Sequence, residues 1–144
     1  MSAAFLGAGR NAAEEAPVSL HAKFNEAEQL RINGDYDSAL PLYRQLVAAE
    51  EGNINARVAL GMTLGFIGEF DESISELEKS TQQAAPGTID AGWADLNLGK
   101  TYQMLGMFEE SKTPLQKVLD NPNSDPRHRD EAEKQIAYLR EFGL

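Results

Sequence analysis

A nine-residue phrase recurs three times along the chain, as Ile32-Asn33-Gly34-Asp35-Tyr36-Asp37-Ser38-Ala39-Leu40, Phe66-Ile67-Gly68-Glu69-Phe70-Asp71-Glu72-Ser73-Ile74 and Met104-Leu105-Gly106-Met107-Phe108-Glu109-Glu110-Ser111-Lys112. Each copy reads as a helix stopped by glycine, an aromatic two residues on, then a polar pair and a small residue opening another helix. The glycines are 34 and 38 residues apart. Self-similarity at that period predicts stacked helical hairpins, because one hairpin cannot bury its own apolar face and needs the next to complete a core. The expected fold is all-α, an α-solenoid of three hairpins.

The remaining sequence fits that frame. Residues 1–17 are rich in Ala and Gly without periodicity and read as a flexible tail. Repeats are expected over about 20–52, 53–87 and 90–123, with a capping helix in 126–144. Ser19, Asp35 and Asn53 are positioned to cap helices, as is Thr88 or Asp90, and Asp125-Pro126 is an N-cap followed by proline at the first helical position. Pro41, mirrored by Pro114, is expected to interrupt its helix and bend the axis. Pro86-Gly87-Thr88 forms a longer connection and accounts for the four extra residues between the second and third copies. In the second repeat Asp71, Glu72, Glu76 and Glu78 mark a face turned to water. Ala132, Ile136, Leu139 and Phe142 form the apolar stripe of the last helix.

Composition narrows the function classes. A net charge of −10, from 23 acidic and 13 basic residues, opposes nucleic-acid binding, which rests on neutralising phosphates. No apolar run approaches membrane-spanning length, and the N-terminus makes a poor signal peptide, so a cytoplasmic location is expected, or a periplasmic one had a leader been removed. The absence of cysteine excludes disulfides and thiolate metal sites. His21 and His128 lack a second ligand at helical spacing and read as solvated. No base is placed beside a nucleophile. No cofactor, metal or catalytic residue is therefore expected.

At these residues the chain resembles the tetratricopeptide repeat family. The large-small pairs Leu60-Gly61 and Leu98-Gly99 match the family pattern, Glu26-Ala27 matches in its second member, and Ala39, Ser73 and Ser111 supply the small residue of each second helix. A small residue is needed at Ala27, Gly61 and Gly99 because the two helices of a hairpin cross closely there. Gly65 admits two readings, a second close contact or a hollow between Met62 and Phe66. The closing proline departs from the family pattern, appearing as Pro86 and Pro122 and missing after the first repeat.

The resemblance implies that first helices line a concave surface that holds a segment of another protein. Residue by residue, that surface takes Phe24 from the first repeat and Asn55, Val58, Met62 and Phe66 from the second. The third contributes Trp93, Leu96, Asn97, Lys100, Gln103 and Met104. His21, Glu28, Arg31 and Ile32 lie at equivalent places. Trp93 is also read as covering Ile89. The terminal-carboxylate clamp of heat-shock co-chaperones is missing, since Phe24, Glu28, Ala59, Trp93 and Asn97 stand where its Lys, Arg and Asn belong. The expected partner is an apolar or amphipathic protein segment. The alternative is self-assembly, with the groove filled by Phe5 and Leu6 of the tail or by another copy of the chain.

Overall fold

The computed structural model describes residues 19–144, so the expected tail, with Phe5 and Leu6, lies outside the described residues. Seven helices follow in order: α1 Leu20–Ile32, α2 Tyr36–Ala49, α3 Ile54–Phe66, α4 Phe70–Gln83, α5 Ile89–Met104, α6 Phe108–Asp120 and α7 Pro126–Glu141. They pair as α1/α2, α3/α4 and α5/α6, each hairpin packs on the next, and α7 lies against α6 and α5. There is no strand among the described residues.

The recurring phrase is one backbone motif built three times. Gly34, Gly68 and Gly106 adopt φ of +82°, +88° and +74°. The amides of Asp35, Glu69 and Met107 then donate to the carbonyls of Leu30, Leu64 and Tyr102 at 2.8, 2.9 and 2.8 Å. This is the bond pattern that ends a helix with a left-handed residue, where glycine carries no Cβ penalty. The opposite ends are fixed by side chains, since the Ala22, Ser38, Ala56 and Ala91 amides donate to Ser19, Asp35, Asn53 and Thr88. Thr88, and not Asp90, is thus the cap of α5. Both α2 and α6 continue unbroken through Pro41 and Pro114, so neither proline interrupts its helix as the sequence suggested.

The hairpins are held together at one crossing. A Cβ built on Gly61 would lie 2.6 Å from Leu77 Cγ, and one on Gly99 would lie 2.7 Å from Leu115 Cγ. The corresponding Ala27 is fully buried with Tyr43 in the first hairpin. Gly65 continues the contact, its Cβ position 3.3 Å from Ser73 Oγ, so its role is packing and not a hollow. The core runs through the stack in three clusters centred on Tyr43, Leu77 and Leu115.

Polar groups inside the stack behave differently from repeat to repeat. Arg57 is 6% exposed, with Nη1 2.6 Å from Glu76 Oε2, Nε donating to Gln83 Oε1 and Nη2 donating to the Glu51 carbonyl. Glu76 is therefore drawn into the hairpin instead of facing water with Asp71 and Glu78. Asp95, at the same register in the third repeat, is 9% exposed and makes no hydrogen bond or ion pair among the described residues. Burial lifts its carboxyl to about 6 against the pull of Lys117.

Two outcomes follow from this packing. Gly61→Ala should lower stability by about 1–3 kcal/mol through overpacking against Leu77, whereas Gly52→Ala, with nothing within 4 Å, should leave it unchanged or slightly raised in urea titrations followed by circular dichroism. For Asp95 the native state holds the proton more tightly than the unfolded chain, so its contribution worsens as pH rises from about 4 to about 6. Asp95→Asn should therefore stabilise the protein by about 1–3 kcal/mol at pH 8 and by much less at pH 4.5, measured by the same titration.

Candidate functional site

Helices α1, α3 and α5 open the three hairpins, and it is on their equivalent positions that the sequence placed a groove. The deeper positions of that surface are closed by the next helix in the stack. Val58 is fully buried with Leu77, Ala94 and Leu98, and Leu96 is 5% exposed among Leu115, Val118, Ala132 and Leu139. Neither side chain is available at the surface. Asn97 is also buried, its Nδ2 donating to the Trp93 carbonyl at 2.9 Å within its own helix. Met62 is half-buried against the second cluster.

Helix α7 occupies most of the inner face of the third repeat. Trp93 stacks on His128, with ring centroids 6.2 Å apart and planes at 12°. Lys100 Nζ lies 3.6 Å from Glu131 Oε1, and Gln103 Nε2 donates to the Gln135 carbonyl at 3.2 Å. Trp93 thus seals the seam to the capping helix and does not cover Ile89, which stays exposed. His128 is correspondingly half-buried and not solvated. Its Nδ1 is buried without a hydrogen-bond partner among the described residues, and desolvation outweighs the nearby Asp125 carboxylate to hold the imidazole below its ordinary value.

Sites at the two ends are separate. Phe24 and Asn55 line a cavity of about 340 Å³ between α1 and α3, together with His21, Asn25 and Asn53. Lys100, Gln103 and Met104 line another of about 280 Å³ with Gln135 and Tyr138. The expected inner residues are therefore not brought into one trough. Glu28 and Arg31, at the inner register of α1, are engaged with one another and with Tyr43, whose hydroxyl donates to Glu28. Burial raises the Glu28 carboxyl, but the hydrogen bonds from Arg31 and Tyr43 outweigh it and leave it below the usual carboxylate range.

What stays open is a row of large apolar side chains at the C-terminal ends of the first helices. Ile32, Phe66 and Met104 hold the same register in successive repeats and are 65%, 53% and 58% exposed. Tyr36 stacks on Phe66 at 4.9 Å. Tyr138 and Phe142 of α7 pair at 4.9 Å and are also exposed, so Phe142 does not belong to the buried stripe made by Ala132, Ile136 and Leu139. Sequence reasoning missed Tyr138 as an exposed residue and Tyr36 as the half-buried partner of Phe66. The signal available for Tyr138 was its spacing of four from Phe142, one turn along the same helix face.

The chain belongs to the tetratricopeptide repeat family: profiles of that repeat match residues 30–88 and 93–124, together more than half of its length. Among solved structures it is similar to YrrB, described as a TPR protein with an unusual peptide-binding site, at 27% identity and a TM-score of 0.69 over 85% of this chain. The chain spans 61% of YrrB. It is also similar to the type III secretion translocator chaperone SycD of Yersinia enterocolitica, at 14% identity and a TM-score of 0.74, covering 88% of this chain and 92% of that one. A third likeness is to the second TPR of Spaghetti (RPAP3), bound to the HSP90 peptide SRMEEVD, at 17% identity and a TM-score of 0.64, covering 76% and 97%. The last two likenesses show the fold. No curated protein sequence matches the chain.

The Trp93–His128 seam can be read directly, since Trp93 is the sole tryptophan. A histidine with a depressed folded value contributes stability at high pH that is lost as pH falls below its ordinary 6.5. Acidification from pH 7 to pH 5 should shift Trp93 emission as α7 loosens, and His128→Gln should flatten that profile, measured by steady-state fluorescence.

Proposed function

We propose that the protein is a non-catalytic interaction module that holds an apolar or amphipathic segment of a protein partner along the row Ile32, Phe66 and Met104. The observation that carries this reading is the exposure of three large apolar side chains at one register in a strongly acidic protein. Scattered single apolar residues are ordinary on a surface, but an aligned set flanked by Tyr36, Tyr138 and Phe142 is the kind of patch that binds. Methionine and aromatic side chains adapt to varied partner surfaces. The likeness to YrrB, a peptide-binding TPR protein, supports the same reading.

On this reading the partner lies along the ends of the first helices, since Val58 and Leu96 are packed away and α7 takes the place beside Trp93, Lys100 and Gln103. No helix among the described residues is long and apolar enough to cross a membrane, so the patch is not a spanning segment.

The test is a selection of helical and extended peptides displayed on phage, followed by affinity measurement of the recovered sequences. Phe66→Asp and Met104→Asp should each weaken a recovered apolar peptide by about tenfold or more, a change of the size expected for an interface anchor, with helicity unchanged. Loss of binding on Asn55→Ala but not on Phe66→Asp would move the site to the cavity between α1 and α3 and overturn this reading. Light scattering of the chain with and without residues 2–16 tests self-assembly: an oligomer that Phe66→Asp dissociates would assign the same row to a second copy.

A further inference from the structure

The second and third hairpins carry opposite charges at one internal register. In the second, Arg57 reaches between α3 and α4 and its guanidinium is satisfied by Glu76, the Gln83 side chain and the Glu51 carbonyl. Thirty-eight residues later, the spacing that relates Gly61 to Gly99, stand Asp95 for Arg57, Pro114 for Glu76 and Asn121 for Gln83. The long basic side chain is thus replaced by a short acidic one. Beside it lies a cavity of about 330 Å³ lined by Asp95, Lys117, Asp120, Asn121, Pro86 and Gly87.

We propose that this cavity is a receptor site for a guanidinium group, with the Asp95 carboxylate as its counter-ion. Three observations converge. Asp95 is nine-tenths buried, lines the cavity and has no donor within the described residues. Its carboxylate oxygens reach solvent only through that recess, where a charged donor can enter and pair with them. Among the described residues the lining carries one further carboxylate, Asp120, and one cation, Lys117, which makes no ion pair there, so two carboxylates stand against one ammonium. Finally, the fold itself seats a guanidinium at this register one repeat earlier, which favours arginine's planar, weakly hydrated fork over an ammonium.

The neighbouring amide does not fill the role. Asn121 Nδ2 is spent on the Thr88 carbonyl at 2.8 Å, and its Oδ1 accepts from the Asn123 amide at 3.0 Å. Those bonds hold the Pro86–Thr88 connection against the end of α6 and keep the cavity mouth in place. A metal ion is not favoured, because no group of three or more His, Cys, Asp or Glu capable of holding one occurs among the described residues. The site lies away from the row of Ile32, Phe66 and Met104, and the inference stands whether or not that row binds a partner.

The test is a ¹H–¹⁵N titration of the full chain at pH 7.5 and low salt with Nα-acetyl-arginine amide, alongside the uncharged citrulline analogue. Saturable shifts confined to residues 84–95 and 117–122 are expected for the arginine compound and none for citrulline. Asp95→Asn, which preserves shape, should weaken binding by about tenfold or more, and Asp120→Asn by less, with unaltered spectra elsewhere certifying the fold. Because Asp95 must be ionised to pair, affinity should fall as pH drops below about 6, at most tenfold per unit. Among the described residues, Lys117 and Asp120 are the other charged groups that line the cavity. Agmatine and a Gly-Arg-Gly peptide separate the sources: tighter binding of the peptide points to an arginine of a protein partner, tighter binding of agmatine to a free guanidino compound. Equal shifts with citrulline, unchanged affinity in Asp95→Asn, or shifts centred elsewhere would overturn the proposal.

Discussion

The whole architecture depends on how closely two helices of a hairpin approach at one point. At Gly61 and Gly99 the absence of a side chain lets Leu77 and Leu115 sit where a Cβ would otherwise be. Ala27 and Tyr43 make the first hairpin's version of the contact. That approach sets the distance between first and second helices, and so sets how each hairpin presents its outer faces to the next. Interiors are packed to crystal-like density, so the spacing is not freely adjustable. The clusters around Tyr43, Leu77 and Leu115 form because three such hairpins share the same separation and can stack in register.

Stacking in register has a second effect, which decides what remains on the surface. The middle positions of α3 and α5 are lost to the helices stacked on them, so Val58 is taken by α4 and α5 and Leu96 by α6 and α7. The last turn of each first helix is left uncovered, and there Ile32, Phe66 and Met104 stand open at one register. The capping helix then closes the third repeat with a stack, an ion pair and a hydrogen bond, at Trp93, Lys100 and Gln103. An array without this helix would carry a much larger apolar face.

The repeat phrase made the fold legible because its parts are local: a left-handed glycine and a small residue at a fixed offset act within a turn or two. Helix ends were legible for the same reason, from Ser19, Asp35, Asn53 and Asp125. The candidate surface was less so. Register correctly put Phe66 and Met104 on the exposed side, but it could not tell Val58 from Phe66, because coverage depends on how far the neighbouring helix reaches. Trp93 was misjudged on the same ground, since its partner His128 is 35 residues away and belongs to a helix outside the repeat. Arg57 and Asp95 were invisible as a contrast until the slots they occupy could be compared.

The motif that stops the first helices also closes the chain's last one. Gly143 has φ of +77°, and the Leu144 amide donates to the Leu139 carbonyl at 3.1 Å. Beside it, Lys112, Gln116, Ile136, Leu139 and Leu144 border an open seat of about 330 Å³ between α6 and α7. In building terms, the terminal helix finishes with the same bend that elsewhere sends the backbone home along an antiparallel path. The left-handed glycine thus turns the backbone past α7 as it does past α1, α3 and α5, and brings Leu144 to the edge of that seat.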